Sequence, residues 1–140
     1  MLKILIASHG NYAAGIKSAA DIIVGEKSHV SYISAYVDDI PLKDKFEKYF
    51  ADVTAEDQVI VLTDLFAGSV NQTVTSYLLK QNVYIISGIN LAVVLEIVLL
   101  NPESEVTADR LRYIVEESKK QIVFINDSFT NADNKDDFDF

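Results

Sequence analysis

Four short apolar runs, at residues 2–7, 30–37, 58–63 and 83–87, are separated from one another by segments with helical spacing. This alternation constrains the chain more than any other feature. Strands that are apolar on both sides need cover on both sides, and a β-α-β order supplies it with helices over the faces of a parallel sheet. The first intervening segment repeats apolar residues at Tyr12, Ile16, Ala20 and Ile23 and stops at Gly25. The second opens at Pro41 and presents Leu42, Phe46, Tyr49 and Phe50. The third presents Val70, Val74, Tyr77 and Leu78. Beyond the fourth run, residues 90–100 read as a helix with Glu96 as its only charge, and residues 107–121 as an amphipathic helix built on Leu111, Ile114 and Val115. Residues 122–125 are β-prone and read as a short final strand.

Right-handed crossovers and four leading strands favour the sheet order 2-1-3-4. The expected fold is therefore α/β, a doubly wound and mainly parallel sheet with helices on both faces and a short extra C-terminal strand. With 140 residues and no long linker, residues 1–126 form one domain, and the acidic residues 127–140 read as a disordered tail.

Composition removes several function classes. No cysteine is present, which excludes disulfides, thiol nucleophiles and cysteine-bound metals. A net charge of −9 argues against nucleic acid and against anionic membrane surfaces. The apolar start is too short for a signal sequence, and residues 91–100 fall far below the ~20 needed to span a bilayer, so a cytoplasmic protein is expected.

In the 2-1-3-4 order the winding reverses between strands 1 and 3, and their carboxyl ends form the crevice where such sheets place ligands. Strand 1 runs into Ser8-His9-Gly10, strand 3 into Thr63-Asp64 with Gly68-Ser69 after it, and strand 4 into Gly88 and Asn90. An aspartate bonded to one ring nitrogen of a histidine fixes the tautomer and leaves the other nitrogen's lone pair available. Ser8 and Ser69 are possible nucleophiles, but neither lies in a G-x-S-x-G elbow, and the simplest alternative is His9 itself. A phosphoryl group is a suitable electrophile, with Gly10 and Gly68 allowing close approach and the Thr63 and Ser69 hydroxyls adding donors. Each of these residues also has a plainer use: Asp64 as a helix cap, the glycines in turns, Thr63 and Ser69 in local capping. His29 falls at the opposite edge of the sheet, which leaves it a loop residue and makes the two histidines a poor metal site. No nucleotide fingerprint is present, and no cofactor is called for.

Three segments resemble one known family in register: "ILIASHGNYAAGI", "VLTDLFAGSVNQ" and "ISGINLAVVLE". They are similar to the active-histidine segment, the aspartate-and-glycine turn and the Gly-x-Asn helix start of enzyme IIA components of the mannose family, from the bacterial sugar phosphotransferase system. The resemblance covers about residues 1–126. It implies a phosphocarrier that takes a phosphoryl group from the histidine-containing carrier HPr onto His9, oriented by Asp64, and passes it to a IIB component. The phosphate-holding turn then maps to Ala67, Gly68 and Ser69, and the membrane components IIC and IID are served only indirectly. Ala67 and Val70 depart from the family's usual Gly and Pro. The family also implies a homodimer that exchanges the final strand, and the nearly all-apolar helix at 90–100 points to a dimer interface of its own. The alternatives are a regulatory or binding module of the same fold and the phosphotransfer subunit of a dihydroxyacetone kinase.

Overall fold

Each apolar run becomes a strand of one parallel sheet in the computed structural model, which describes residues 1–79 and 82–130. The strands are β1 (Leu2–His9), β2 (Val30–Ala35), β3 (Gln58–Thr63) and β4 (Val83–Ser87), in the order β2-β1-β3-β4. Around them lie α1 (Tyr12–Val24), α2 (Leu42–Ala51), α3 (Ser69–Thr75), α4 (Leu91–Val98), α5 (Ala108–Lys119) and α6 (Ile125–Thr130), with a 3-10 turn at Ser76–Leu79.

The period-2 alternation of a strand sorts β1 between two cores. Leu2, Ile4 and Ile6 join Ile60 and Leu62 under α1, α4 and α5. Leu5 and Ala7 join Val59 and Val61 under α2 and α3, with Phe46 fully buried at the centre. The same parity governs the end of the strand. Ser8 continues the α1 face, and its Oγ accepts the Ala13 N–H at 2.6 Å, satisfying a first-turn donor of α1. His9 continues the opposite face, toward α3.

Register aligns the strand ends. Thr63 pairs with Ser87 and with Ala7, and His9 pairs with Ala35, so β3 and β4 finish together and β1 and β2 finish together two residues further on. The return from β4 is tied down by Asn90, whose Oδ1 accepts the Val93 N–H and whose amide donates to the Ser118 carbonyl, both at 2.9 Å.

Four expectations are revised. β2 ends at Ala35 rather than at residue 37, because Tyr36 turns out of the strand with φ +66. A bulky side chain in the left-handed region is sterically costly and marks a tightly held turn. The second face of α4 is covered by α5 of the same chain, so Val93, Val94, Ile97 and Val98 are all buried and Leu99 is the large apolar residue left open there. That helix therefore does not itself require a partner subunit. Residues 122–124 form no strand: Ile122, Val123 and Phe124 are exposed, and Ile125 begins α6. β-prone side chains alone make no strand without a sheet edge to pair with. The expected tail thus starts inside α6, and its residues 131–140 lie outside the described ones.

Candidate active site

The carboxyl ends of β1 and β3 place His9 beside Asp64. Asp64 Oδ2 accepts two hydrogen bonds from this one residue, from the backbone N–H at 2.9 Å and from ring Nδ1 at 2.8 Å. Its Oδ1 accepts the Leu65 N–H at 3.1 Å. Burial alone would raise the Asp64 carboxyl, but the His9 backbone N–H, the His9 ring and its charge outweigh it and hold the group below its ordinary value. An ionised carboxylate only accepts, so Nδ1 holds a proton, and in the neutral ring Nε2 keeps its lone pair. The His9 side chain is 40% exposed and Asp64 13%, so the imidazole is far more open to solvent than its carboxylate partner.

Nε2 faces the start of α3. Ser69 Oγ is 3.3 Å away and is itself 2.7 Å from the Tyr36 hydroxyl. The Tyr36 ring tilts over His9, with centroids 5.6 Å apart. Gly68 sits against the ring, where a Cβ would fall 3.1 Å from His9 Cε1. Its φ of −77 is open to any residue, so clearance is what glycine supplies here.

The other sequence candidates take different positions. The Gly10 N–H donates to the Ala35 carbonyl at 2.8 Å, and its φ of +54 turns the chain from β1 into α1, so its part is the turn. Thr63 is fully buried and faces α3, with Oγ1 2.7 Å from Ser87 Oγ and 3.2 Å from Asn71 Oδ1. Ser87 also hydrogen-bonds Asn71, whose amide donates to the Phe66 carbonyl at 2.7 Å. Thr63 therefore braces the 64–69 loop from beneath, with its hydroxyl engaged by Ser87 and Asn71. Ser8 is buried on the α1 side, away from the crevice. His29 lies before β2 at the far edge, its ring held below its ordinary value by burial and then by Lys27. Among the described residues, the non-glycine positions with positive φ are Tyr36 and Asn82, so Ala67 adopts an ordinary backbone and its departure from glycine leaves the turn intact. Val70 is buried in the α2–α3 core.

Two residues of the site escaped the sequence reading. The apolar run at residues 30–37 hides Tyr36 inside strand 2, although a residue just past Ala35, the register partner of His9, lies beside the histidine. Tyr12, in the first turn of α1, donates its hydroxyl to the Ile89 carbonyl at 3.0 Å. Its phenol is pushed up by burial and then by the Asp64 charge, so it stays protonated beside the crevice.

Comparison with known proteins agrees with this geometry. The profile of the family described as PTS system fructose IIA component matches residues 3–114. The PTS system fructose-specific EIIA component of Bacillus subtilis is 24% identical over 103 residues, 71% of this chain and 70% of the relative. A solved Klebsiella pneumoniae protein, assigned as a permease of the phosphoenolpyruvate-dependent sugar phosphotransferase system, superposes with a TM-score of 0.84 at 28% identity, covering 91% of this chain and 93% of its own. The PTS IIA protein associated with the fucose utilization operon of Streptococcus pneumoniae superposes with a TM-score of 0.76 at 26% identity, covering 91% and 96%. With 112 consecutive positions matched to that profile and the same fold in solved relatives, the chain belongs to the fructose IIA component family and is a IIA component of the sugar phosphotransferase system.

Proposed function

We propose that His9 carries a phosphoryl group on Nε2, taken from phospho-HPr and passed to a IIB component for sugar uptake. The observation that supports this most directly is the 2.8 Å contact between Nδ1 and an ionised Asp64, which leaves Nε2 as the nucleophilic atom on the open side of the crevice. In the forward step the Nε2 lone pair forms an N–P bond. The donor's N–P bond breaks, and its electron pair returns to the donor ring. Asp64 stays ionised and offsets the charge that the substituted imidazole gains. Transfer through a loose transition state asks the protein for position and for donors to the phosphoryl oxygens. Ser69 and the first turn of α3 lie on that side, Gly68 gives the clearance, and Gly10 and Thr63 serve from behind by holding the turn and the loop. No cofactor or metal takes part in this reading.

The segments that follow β2 and β3 carry exposed apolar side chains, Val37 and Ile40 on one and Leu65 and Phe66 on the other, with Phe66 81% exposed. Such a surface suits transient docking of a protein carrier. The exposed residues 122–124 and the outer edge of β4 suit a homodimer, in place of the α4 interface. Among the described residues no helix is long and apolar enough to cross a membrane, and the proposed exchange with HPr would take place in the cytoplasm.

Incubation with phosphoenolpyruvate, enzyme I and HPr tests the assignment. Acid-labile phosphate should appear on His9 by mass spectrometry and vanish in His9→Ala. Phosphate on His29 or on a serine, or none at all, would overturn it.

A further inference from the structure

Beyond the His9–Asp64 pair, a chain of hydroxyls leads away from Nε2. Its hydrogen positions are determined from one end. Asp64 is ionised, so in the neutral ring Nδ1 donates to it and Nε2 accepts. Ser69 must then give its only hydroxyl hydrogen to Nε2 across 3.3 Å. With that hydrogen spent, Ser69 Oγ faces Tyr36 as an acceptor, and the 2.7 Å contact is a Tyr36 O–H donating to Ser69. For a neutral His9 ring, Tyr36 → Ser69 → His9 → Asp64 is thus the only order in which every contact has a hydrogen.

Tyr36 is held where it stands. Its φ of +66 is a conformation that glycine takes without steric cost, yet the residue here is a tyrosine whose ring lies over His9 and whose hydroxyl reaches α3. The turn that carries it is pinned on both sides. Lys45 Nζ donates to the Ser34 carbonyl at 2.7 Å and pairs with Asp38 at 2.9 Å, while Asp38 Oδ1 accepts the Ile40 N–H at 3.1 Å. The Ala35 carbonyl is meanwhile engaged by the Gly10 N–H. A backbone outlier fixed by its surroundings at a reactive centre is a place to look for function.

We infer that Tyr36 is a positioning residue for phosphoryl transfer, aiming the Ser69 hydroxyl at Nε2 in the resting protein and at a phosphoryl oxygen once Nε2 is occupied. This rests on the phosphocarrier reading of His9. When the lone pair of Nε2 is taken up in the N–P bond, the Ser69 hydrogen loses its acceptor there and finds one on the phosphoryl group. Tyr36 still donates to Ser69, so the hydroxyl stays aimed without a search through its rotamers.

The test uses Tyr36→Phe, which keeps the ring and removes the hydroxyl, in the full chain. In resting protein labelled with ¹⁵N at its histidine rings, the His9 Nε2 resonance should move toward the value of an unbonded acceptor nitrogen, as it should in Ser69→Ala. An Nε2 resonance unchanged by Tyr36→Phe would overturn the relay. In single-turnover transfer from phospho-HPr, the rate at saturating carrier should fall roughly 3- to 10-fold, the size expected for one hydrogen bond, with the half-saturating concentration unchanged. On a Ser69→Ala background the same substitution should cost nothing further. An effect confined to half-saturation, or an equal loss without Ser69, would make Tyr36 a docking residue and overturn the inference. Absence of phosphate on the wild-type protein would overturn the phosphocarrier reading and the transfer role of Tyr36 with it. A phosphorylated wild type with an unaffected Tyr36→Phe would overturn this inference alone.

Discussion

One oxygen of Asp64, Oδ2, accepts both the backbone N–H and the ring Nδ1 of His9, at 2.9 and 2.8 Å. The carboxylate therefore holds the strand end and the imidazole together as one unit. Asp64→Asn should keep the fold, since the amide oxygen can still accept, but it removes the charge that fixes the tautomer and offsets a substituted ring. Transfer to His9 should slow by at least tens of fold; the equivalent change in a serine-protease triad costs about 10⁴-fold. Initial rates of phosphorylation beside an unchanged circular dichroism spectrum would check this. An unaltered rate would reduce Asp64 to a cap for the loop that follows it.

The same hydrogen bonds give Asp64 a defined acid response. Its carboxyl is held below the ordinary 3.8, His9 outweighing the opposite pull of burial. Between the folded and unfolded values the unfolded chain binds more protons, so stability falls as pH falls. The contribution is complete above the unfolded value and is lost as pH drops through the folded one. A ¹³C titration of the Asp64 side chain should show a midpoint below 3.8, and a midpoint above it would contradict the geometry.

Gly68→Ala should act on chemistry more than on folding. The backbone at φ −77 accepts alanine, but the new methyl would lie 3.1 Å from His9 Cε1 and 3.2 Å from Leu65 Cβ. The ring must give by a few tenths of an ångström, moving Nε2 relative to Ser69. A misplacement of about 1 Å can cost roughly 100-fold in rate, so this smaller shift should cost roughly 3- to 10-fold. Single-turnover transfer is the measurement, with thermal unfolding as the control.

Ser8→Ala should do the reverse. Ser8 is buried, accepts the Ala13 N–H at 2.6 Å and lies 3.1 Å from the His9 carbonyl, so its loss strands a first-turn donor of α1. The expected cost is about 1–2 kcal/mol, read by denaturant unfolding, with the phosphorylated residue unchanged. Phosphate lost from the protein in this variant at full stability would give Ser8 the chemical role that its placement denies it.

The alternation of apolar runs and helical segments was enough to deduce the sheet order, and the order was enough to set His9 beside Asp64. Parity along the strands carries further still. Residues 5, 7 and 9 share one face, which sends His9 toward α3 and Ser8 toward α1, and residues 59, 61 and 63 share the same face, which turns the Thr63 hydroxyl under the loop. These features are local periodicities, and a periodicity is written in the order of residues.

What the tertiary structure alone decided depends on neighbours distant in the chain. α5 packs on α4 and buries a second face that the nearly all-apolar pattern of residues 90–100 left without a partner. Residues 122–124 are β-prone but meet no edge within the chain, so no strand forms there. Tyr36 leaves β2 because its turn is held by Lys45, nine positions away in sequence, and its hydroxyl finds Ser69, thirty-three away. Propensity describes what a residue favours by itself; burial of a second face, pairing of an edge and the aim of a hydroxyl are set by which surfaces the fold brings into contact.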